Sequence, residues 1–330
     1  MIRPLVLFAA AMLLAGCRAL PPGLAIQSGS SPGPAPRSTE EVLALVGTVG
    51  AMRLAIPTAS GVLRAVPDPE LSLDTAWISC HGTTLLATGL DGGMDVGSIP
   101  PGAGPGASGV ALAWTSALGD LGGRDPLRAF GSLQPATPGG PDAPATSRDV
   151  AFVEGDPGSG SAGRLVVETL TGANVARIDL PTPAEAAPAW LADGRIAIVD
   201  RDRNDRPVAV LADPATGRAS PVRAGTLRSI AIEGGVVASI DEAGRVGVGR
   251  VGDWLDGRAL GGIAPVAPAQ EVLQAVPSAA GDEIALVVAD TAGDAASIRI
   301  DAAAGGWHEI ARFGLPSGAN RAVVCWLAAP

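Results

Sequence analysis

Ala187-Pro188-Ala189-Trp190-Leu191-Ala192-Asp193-Gly194-Arg195-Ile196-Ala197-Ile198-Val199 leads into a polar run from Asp200 to Asp205. Pro207-Val208-Ala209-Val210-Leu211 and Asp213-Pro214-Ala215-Thr216-Gly217 follow. Asp-Gly between two apolar runs is a hairpin signal, because glycine accepts the positive φ that a tight turn between strands demands. The stretch reads as strand, turn, strand, polar loop, strand, turn, strand, which is a four-stranded antiparallel meander. Beyond Glu40 the chain continues in short apolar runs separated by Gly, Pro, Asp and Asn, so the fold class is all-β. Composition agrees: 45 Gly, 29 Pro and only 17% charged residues favour turns and short strands, and 47% hydrophobic content supplies a core. One segment departs from the pattern. Ser38-Thr39-Glu40-Glu41 ahead of Val42-Leu43-Ala44-Leu45 fits a capping box and predicts a short helix, which Gly47 and Gly50 would stop.

The Pro-x-Trp-x-x-Asp-Gly-x-Ile-Ala pattern followed by Asp-x-x-Thr-Gly resembles the blade repeat of TolB-like and WD40-like β-propellers. Weaker echoes put inner-strand starts near Trp77, Trp114, Phe152, Trp190, Ile230, Val276 and Trp326, close to a blade period. The last has no room for a blade of its own, since Arg321 to Leu327 is one strand and the chain then stops. Val42 to Thr48, Ala51 to Pro57 and Gly61 to Pro67 are strands that lack an inner partner. Pairing the C-terminal strand with these N-terminal ones closes the ring and removes open edges. The expectation is a propeller of seven blades, with six or eight left open because 100–147 and 250–275 carry only degenerate repeats. The tryptophans at 77, 114, 190 and 326 are expected to pack between blades rather than stack on a ligand.

The N-terminus carries a different message. Arg3, an apolar run from Leu5 to Leu14 and then Leu14-Ala15-Gly16-Cys17 have the layout of an export signal. The apolar run is far shorter than the roughly 20 residues that span a bilayer. Leu-Ala-Gly-Cys resembles the lipobox of bacterial lipoproteins, which implies cleavage before Cys17, lipidation of its sulfur, acylation such as palmitate on its amino group, and anchoring to a membrane. Residues 1–16 are then a signal peptide, 17–39 a lipidated cysteine and Pro/Gly/Ser tether, and 40–330 the propeller. Arg18 follows the cysteine where an aspartate would favour inner-membrane retention, and the choice of membrane stays open.

With Cys17 taken by lipid, Cys80 and Cys325 remain, and only one intramolecular pairing exists between them; two separately buried thiols are the other reading. Ring closure of the kind the resemblance implies places both on inner strands of neighbouring blades, which favours a disulfide.

Charge and missing residue types exclude several functions. Net charge is −10, and −11 once Arg3 leaves with the signal, which argues against nucleic acid as a partner. Every basic residue is arginine and tyrosine is absent, so no Schiff-base lysine, P-loop lysine or tyrosine nucleophile exists. Gly158-Ser159-Gly160-Ser161-Ala162-Gly163 has Gly-x-Gly-x-x-Gly spacing, but a strand follows it where a helix would hold pyrophosphate, so it reads as a loop. His81 and His308 are too few for a three-histidine zinc site. Asp200, Asp202, Asn204 and Asp205 alternate like Ca²⁺ ligands, yet Arg201, Arg203 and Arg206 interleave and the EF-hand glycine and glutamate are missing. No metal, cofactor or catalytic residue is assigned. The resemblance implies a binding or scaffold module for an envelope protein or glycan. The alternative is a carbohydrate-active enzyme, or another hydrolase or lyase, with carboxylates converging on the central channel.

Overall fold

The structure is a computed structural model. It describes residues 40–48, 52–66, 75–89, 94–98, 113–118, 132–134, 149–154, 163–169, 173–180, 187–201, 207–224, 227–262, 267, 269–290, 295–302, 306–315 and 320–328.

Three strands open the chain: β1 (Glu40–Thr48), β2 (Arg53–Pro57) and β3 (Leu63–Ala65). Blade 1 follows as β4 (Thr75–His81), β5 (Thr84–Gly89), β6 (Met94–Ser98) and β7 (Ala113–Leu118). Blade 2 is β8 (Ser132–Leu133), β9 (Asp149–Glu154), β10 (Gly163–Thr169) and β11 (Asn174–Leu180). Blade 3 is β12 (Ala189–Trp190), β13 (Ile196–Arg201), β14 (Pro207–Asp213) and β15 (Arg218–Ala224). Blade 4 comprises β16 (Leu227–Glu233), β17 (Val236–Asp241), β18 (Val246–Arg250), the one-turn helix α1 (Val251–Leu255) and β19 (Gly261–Gly262). Blade 5 is β20 (Gln270–Pro277), β21 (Glu283–Asp290), β22 (Ala295–Ala302) and β23 (Gly306–Gly314), and β24 (Asn320–Ala328) ends the chain.

Among the described residues these form six four-stranded antiparallel sheets, the sixth in the order β24-β1-β2-β3. The ring closes as the sequence predicts, by β24 lying along β1 from Glu40↔Ala328 to Thr48↔Asn320. The blade number is corrected from seven to six. Trp114 sits on the outermost strand of blade 1, opposite Gly97, and Phe152 on the second strand of blade 2. The inner strand between them, β8, is two residues long and too short to leave a periodic signature.

The helix expected after Ser38 is also corrected, because β1 is a strand. Its side chains alternate between two cores: Val42 and Ala44 face blade 5, while Leu43 and Leu45 face blade 1. Nine register pairs with β24 and burial on both faces outweigh a local capping preference. The same logic runs round the ring, since each core cluster joins two neighbouring blades, as between blades 2 and 3, 3 and 4, and 4 and 5. Turn glycines appear where the hairpin reading put them. Gly194 has φ 85° and Gly217 φ 66°, and the Asp193 carboxylate caps its own turn by accepting from Arg195 N–H and Nε.

Candidate functional site

Inner strands of a propeller have one open backbone edge, and these edges border the central channel. Because every blade repeats the same antiparallel order, the inner strands run in one direction. They begin at one mouth, here the upper, and end at the lower. The channel encloses about 290 Å³, near the lower end of ligand-pocket sizes of roughly 300–1,000 Å³. Its wall is mostly apolar and carries Trp77, Trp190 and Trp326.

The tryptophans explain the repeat seen in the sequence. Each packs on the core shared with the preceding blade: Trp326 on that of blade 5, Trp190 on that of blade 2 and Trp77 on that of the closing sheet. Two also bond to the preceding inner strand. Trp326 Nε1 donates to the Val276 carbonyl at 2.9 Å and Trp190 Nε1 to the Ser132 carbonyl at 3.0 Å. An indole thus supplies an apolar face to the blade interface and a donor to an otherwise open strand edge. The packing role expected of these three is the one observed, and the Trp114 side chain lies outside the described residues.

Other polar side chains of the channel are engaged in the same way. Gln274 clasps β24, accepting from Val324 N–H at 2.7 Å and donating to the Val324 carbonyl at 3.2 Å. The Arg228 guanidinium turns onto the adjacent blade, to Glu271 and the Val272 carbonyl. His81 Nδ1 stands 2.9 Å from Glu233 Oε1, and both side chains are largely shielded from solvent. Glu233 is the only carboxylate among the described lining residues. Carboxyls pushed above their ordinary range lie elsewhere: Asp149 and Asp301 by burial, and Glu41 by burial with Arg64 opposing.

Cys80 and Cys325 both line the channel, on the first complete blade and the closing strand. Their Cα atoms are 5.4 Å apart and their sulfurs are bonded. His308 is on β23, in the outer part of blade 5, and does not meet His81. Cys17 and the signal and tether segments lie outside the described residues, as do the loop 158–162 and the side chains of Asp200, Asp202, Asn204 and Asp205. Among the described residues no group of three His, Cys, Asp or Glu is placed to hold a metal ion, and no helix is long and apolar enough to cross a membrane.

At the lower mouth the turn of blade 4 presses against that of blade 5. Gly234 has φ 55°, and a Cβ there would fall 2.3 Å from the Ala279 carbonyl oxygen. Gly234→Ala is expected to lower stability by about 2–4 kcal/mol through positive-φ strain and overpacking, as read by urea unfolding. A change within half a kcal/mol would mean the turns separate without cost.

Fold and channel together define a β-propeller, six-bladed among the described residues. The chain is similar to the putative TolB from Agrobacterium tumefaciens, with a TM-score of 0.51 and 13% identity over 87% of this chain and 98% of that one. It is also similar to puromycin hydrolase, with a TM-score of 0.50 and 14% identity over 84% of this chain, spanning 53% of that longer protein. No protein-family model and no curated protein matches the sequence. At these identities the likeness concerns the fold.

Proposed function

We propose that this protein is a lipoprotein of the bacterial cell envelope, anchored through acylated Cys17, whose propeller binds an envelope protein or other envelope ligand at a mouth of its channel. The observation that carries the binding role is the state of the channel's polar side chains. Gln274, Arg228 and two of the indoles bond to neighbouring strands, and His81 stands in ion-pair contact with Glu233 across the channel, instead of converging on a vacant position. Catalysis of glycoside hydrolysis needs two carboxyl groups about 5–10 Å apart across the substrate. Glu233 stands without a second carboxylate among the described lining residues, and His81 holds one of its oxygens. Apolar wall and loop-built mouths suit recognition, and a tethered domain works on what lies within reach of its membrane. The anchor reading rests on Leu14-Ala15-Gly16-Cys17 and the export-signal layout before it.

Likeness in fold to puromycin hydrolase keeps hydrolysis as the competing reading. Affinity capture of the full-length protein from crosslinked, gently solubilised envelopes separates the two. A reproducible partner is expected with the wild type and is lost with Cys17→Ala. Recovery of the protein alone, together with release of product from envelope glycans by the wild type but not by Glu233→Gln, would replace binding by catalysis.

A further inference from the structure

Five of the six sheets are each built from one continuous stretch of chain, and the closing sheet alone unites the two ends. Its seams with blade 5 and blade 1 are therefore where the ring can part without any blade losing a strand. The two seams are held differently. On the blade 5 side, buried apolar side chains come from three strands of that blade, among them Val287 on β21, Ile298 on β22 and Phe313 on β23. Hydrogen bonds add to them: the Gln274 amide to both backbone groups of Val324, the Trp326 indole to the Val276 carbonyl, and Arg312 N–H to the Gly61 carbonyl at 3.3 Å. On the blade 1 side, the described buried side chains of that blade are Ile78, Leu85 and Ala87, from two strands, with Trp77 and Cys80 partly buried beside them. Stabilisation by burial scales with apolar area, so among the described residues this is the thinner seam. It is also the one that carries the Cys80–Cys325 bond.

We propose that Cys80 and Cys325 form a redox-sensitive clasp. With the bond intact the ring is shut, and with it reduced the seam between blade 1 and the closing sheet opens while the other seams stay packed. Cys80 is partly buried where Cys325 is only 4% exposed, so a thiolate attacks Sγ of Cys80. Cys325 then leaves as a thiolate and takes up a proton, and the reductant is held on Cys80 as a mixed disulfide. The second thiolate of a dithiol displaces Cys80, which is protonated in its turn, and the dithiol departs as a cyclic disulfide. Two electrons and two protons thus pass from the dithiol to the protein. Both cysteines line the channel, as do Trp77 and Trp326, so an open seam parts that stretch of wall. The device depends neither on the lipid anchor nor on what the channel binds.

The test treats the full-length protein with dithiothreitol in the absence of denaturant and follows it by thiol alkylation and by hydrogen exchange with mass spectrometry. Iodoacetamide is expected to label Cys80 and Cys325 while the protein is still folded. Blade 3 lies opposite the closing sheet and supplies the internal reference. Exchange in β24, β1, β4 and β5 is expected to quicken by at least about tenfold more than in β13 and β14, because local opening exposes nearby amides and leaves distant ones protected. A double variant, Cys80→Ala with Cys325→Ala, needs no reductant and should show the same pattern; if it fails to fold, the reduced wild type carries the comparison. A bond that resists dithiothreitol until the protein unfolds would overturn the switch. Equal acceleration in every blade would overturn the seam and leave the cross-link as a stabiliser of the whole fold. Unchanged exchange in all blades after reduction would overturn the clasp altogether.

Discussion

Removal of β24 by deleting residues 320–330 is expected to leave a chain that does not fold to a stable ring. The strand contributes Val323, Val324, Trp326 and Leu327, all 4% exposed or less, and each faces one of two cores. Full burial of such side chains stabilises by roughly 1.5–3 kcal/mol each. Their sum is comparable to the whole stability of an ordinary domain, about 5–15 kcal/mol. The deletion also strips β1 of its inner partner and leaves a long unpaired edge next to blade 5, which promotes aggregation. Circular dichroism melting and limited proteolysis of the truncated chain should show loss of the cooperative transition and rapid digestion. A truncated chain that melts cooperatively near the wild-type temperature would mean that five blades and an incomplete sixth suffice, and that closure is not what holds the ring.

The second large effect concerns the bond between the same strand and blade 1. A cross-link between Cys80 and Cys325 encloses nearly the entire folded chain, with a sequence separation of 245. On the chain-entropy account a loop of that length is worth about 5 kcal/mol, and measured values usually fall somewhat below the ideal, so about 3–5 kcal/mol is expected. Cys325→Ser should lower the melting temperature by roughly 10 °C, and reduction of the wild type should do the same. Two controls separate cross-link from packing. Cys80→Ser should lose no more than Cys325→Ser, and the double variant should match the singles, because either change alone already breaks the bond. Identical melting of oxidised and reduced wild type would show that the two sulfurs are not joined in the native protein. The buried wall around Cys325 would then carry that contact by packing alone.

Much of the fold was legible because its signals are local. The Asp193-Gly194 hairpin, the Asp213 to Gly217 turn and the strands between them need only neighbouring residues to be recognised, and blade 3 follows them closely. Closure was legible for a different reason: a single strand after the last blade and three strands before the first cannot each stand alone. The count of blades was not, because β8 is two residues long and the apolar-Trp pair at Ala113-Trp114 looks like an inner strand while forming an outer one. The helix expected at residue 40 failed for a tertiary reason. Whether Val42 to Leu45 coil or extend is decided by β24 and by two cores, none of which is near in sequence.

The site was less legible still. His81 and Glu233 are distant in sequence, and neither sits in a motif. Their meeting depends on both ending inner strands and on those strands being opposite, which holds for six blades and would not hold for seven. The bonds from Trp326 and Gln274 to neighbouring strand edges likewise exist only once the ring is closed. What the sequence did offer was the repeated placement of tryptophan near strand starts, whose purpose the structure explains as packing plus edge capping.

The proposed binding of an envelope partner depends on the protein being held at a membrane through Cys17 as its first mature residue. The intact mass of the protein extracted from its own cell envelope, with fragmentation of the N-terminal peptide, tests this directly. The account predicts a chain that begins at Cys17, lacks residues 1–16 and carries lipid on the cysteine sulfur, with acylation of its amino group as a further mass increment. A chain that begins at Met1, or at any residue other than Cys17, or an unmodified Cys17, would contradict it.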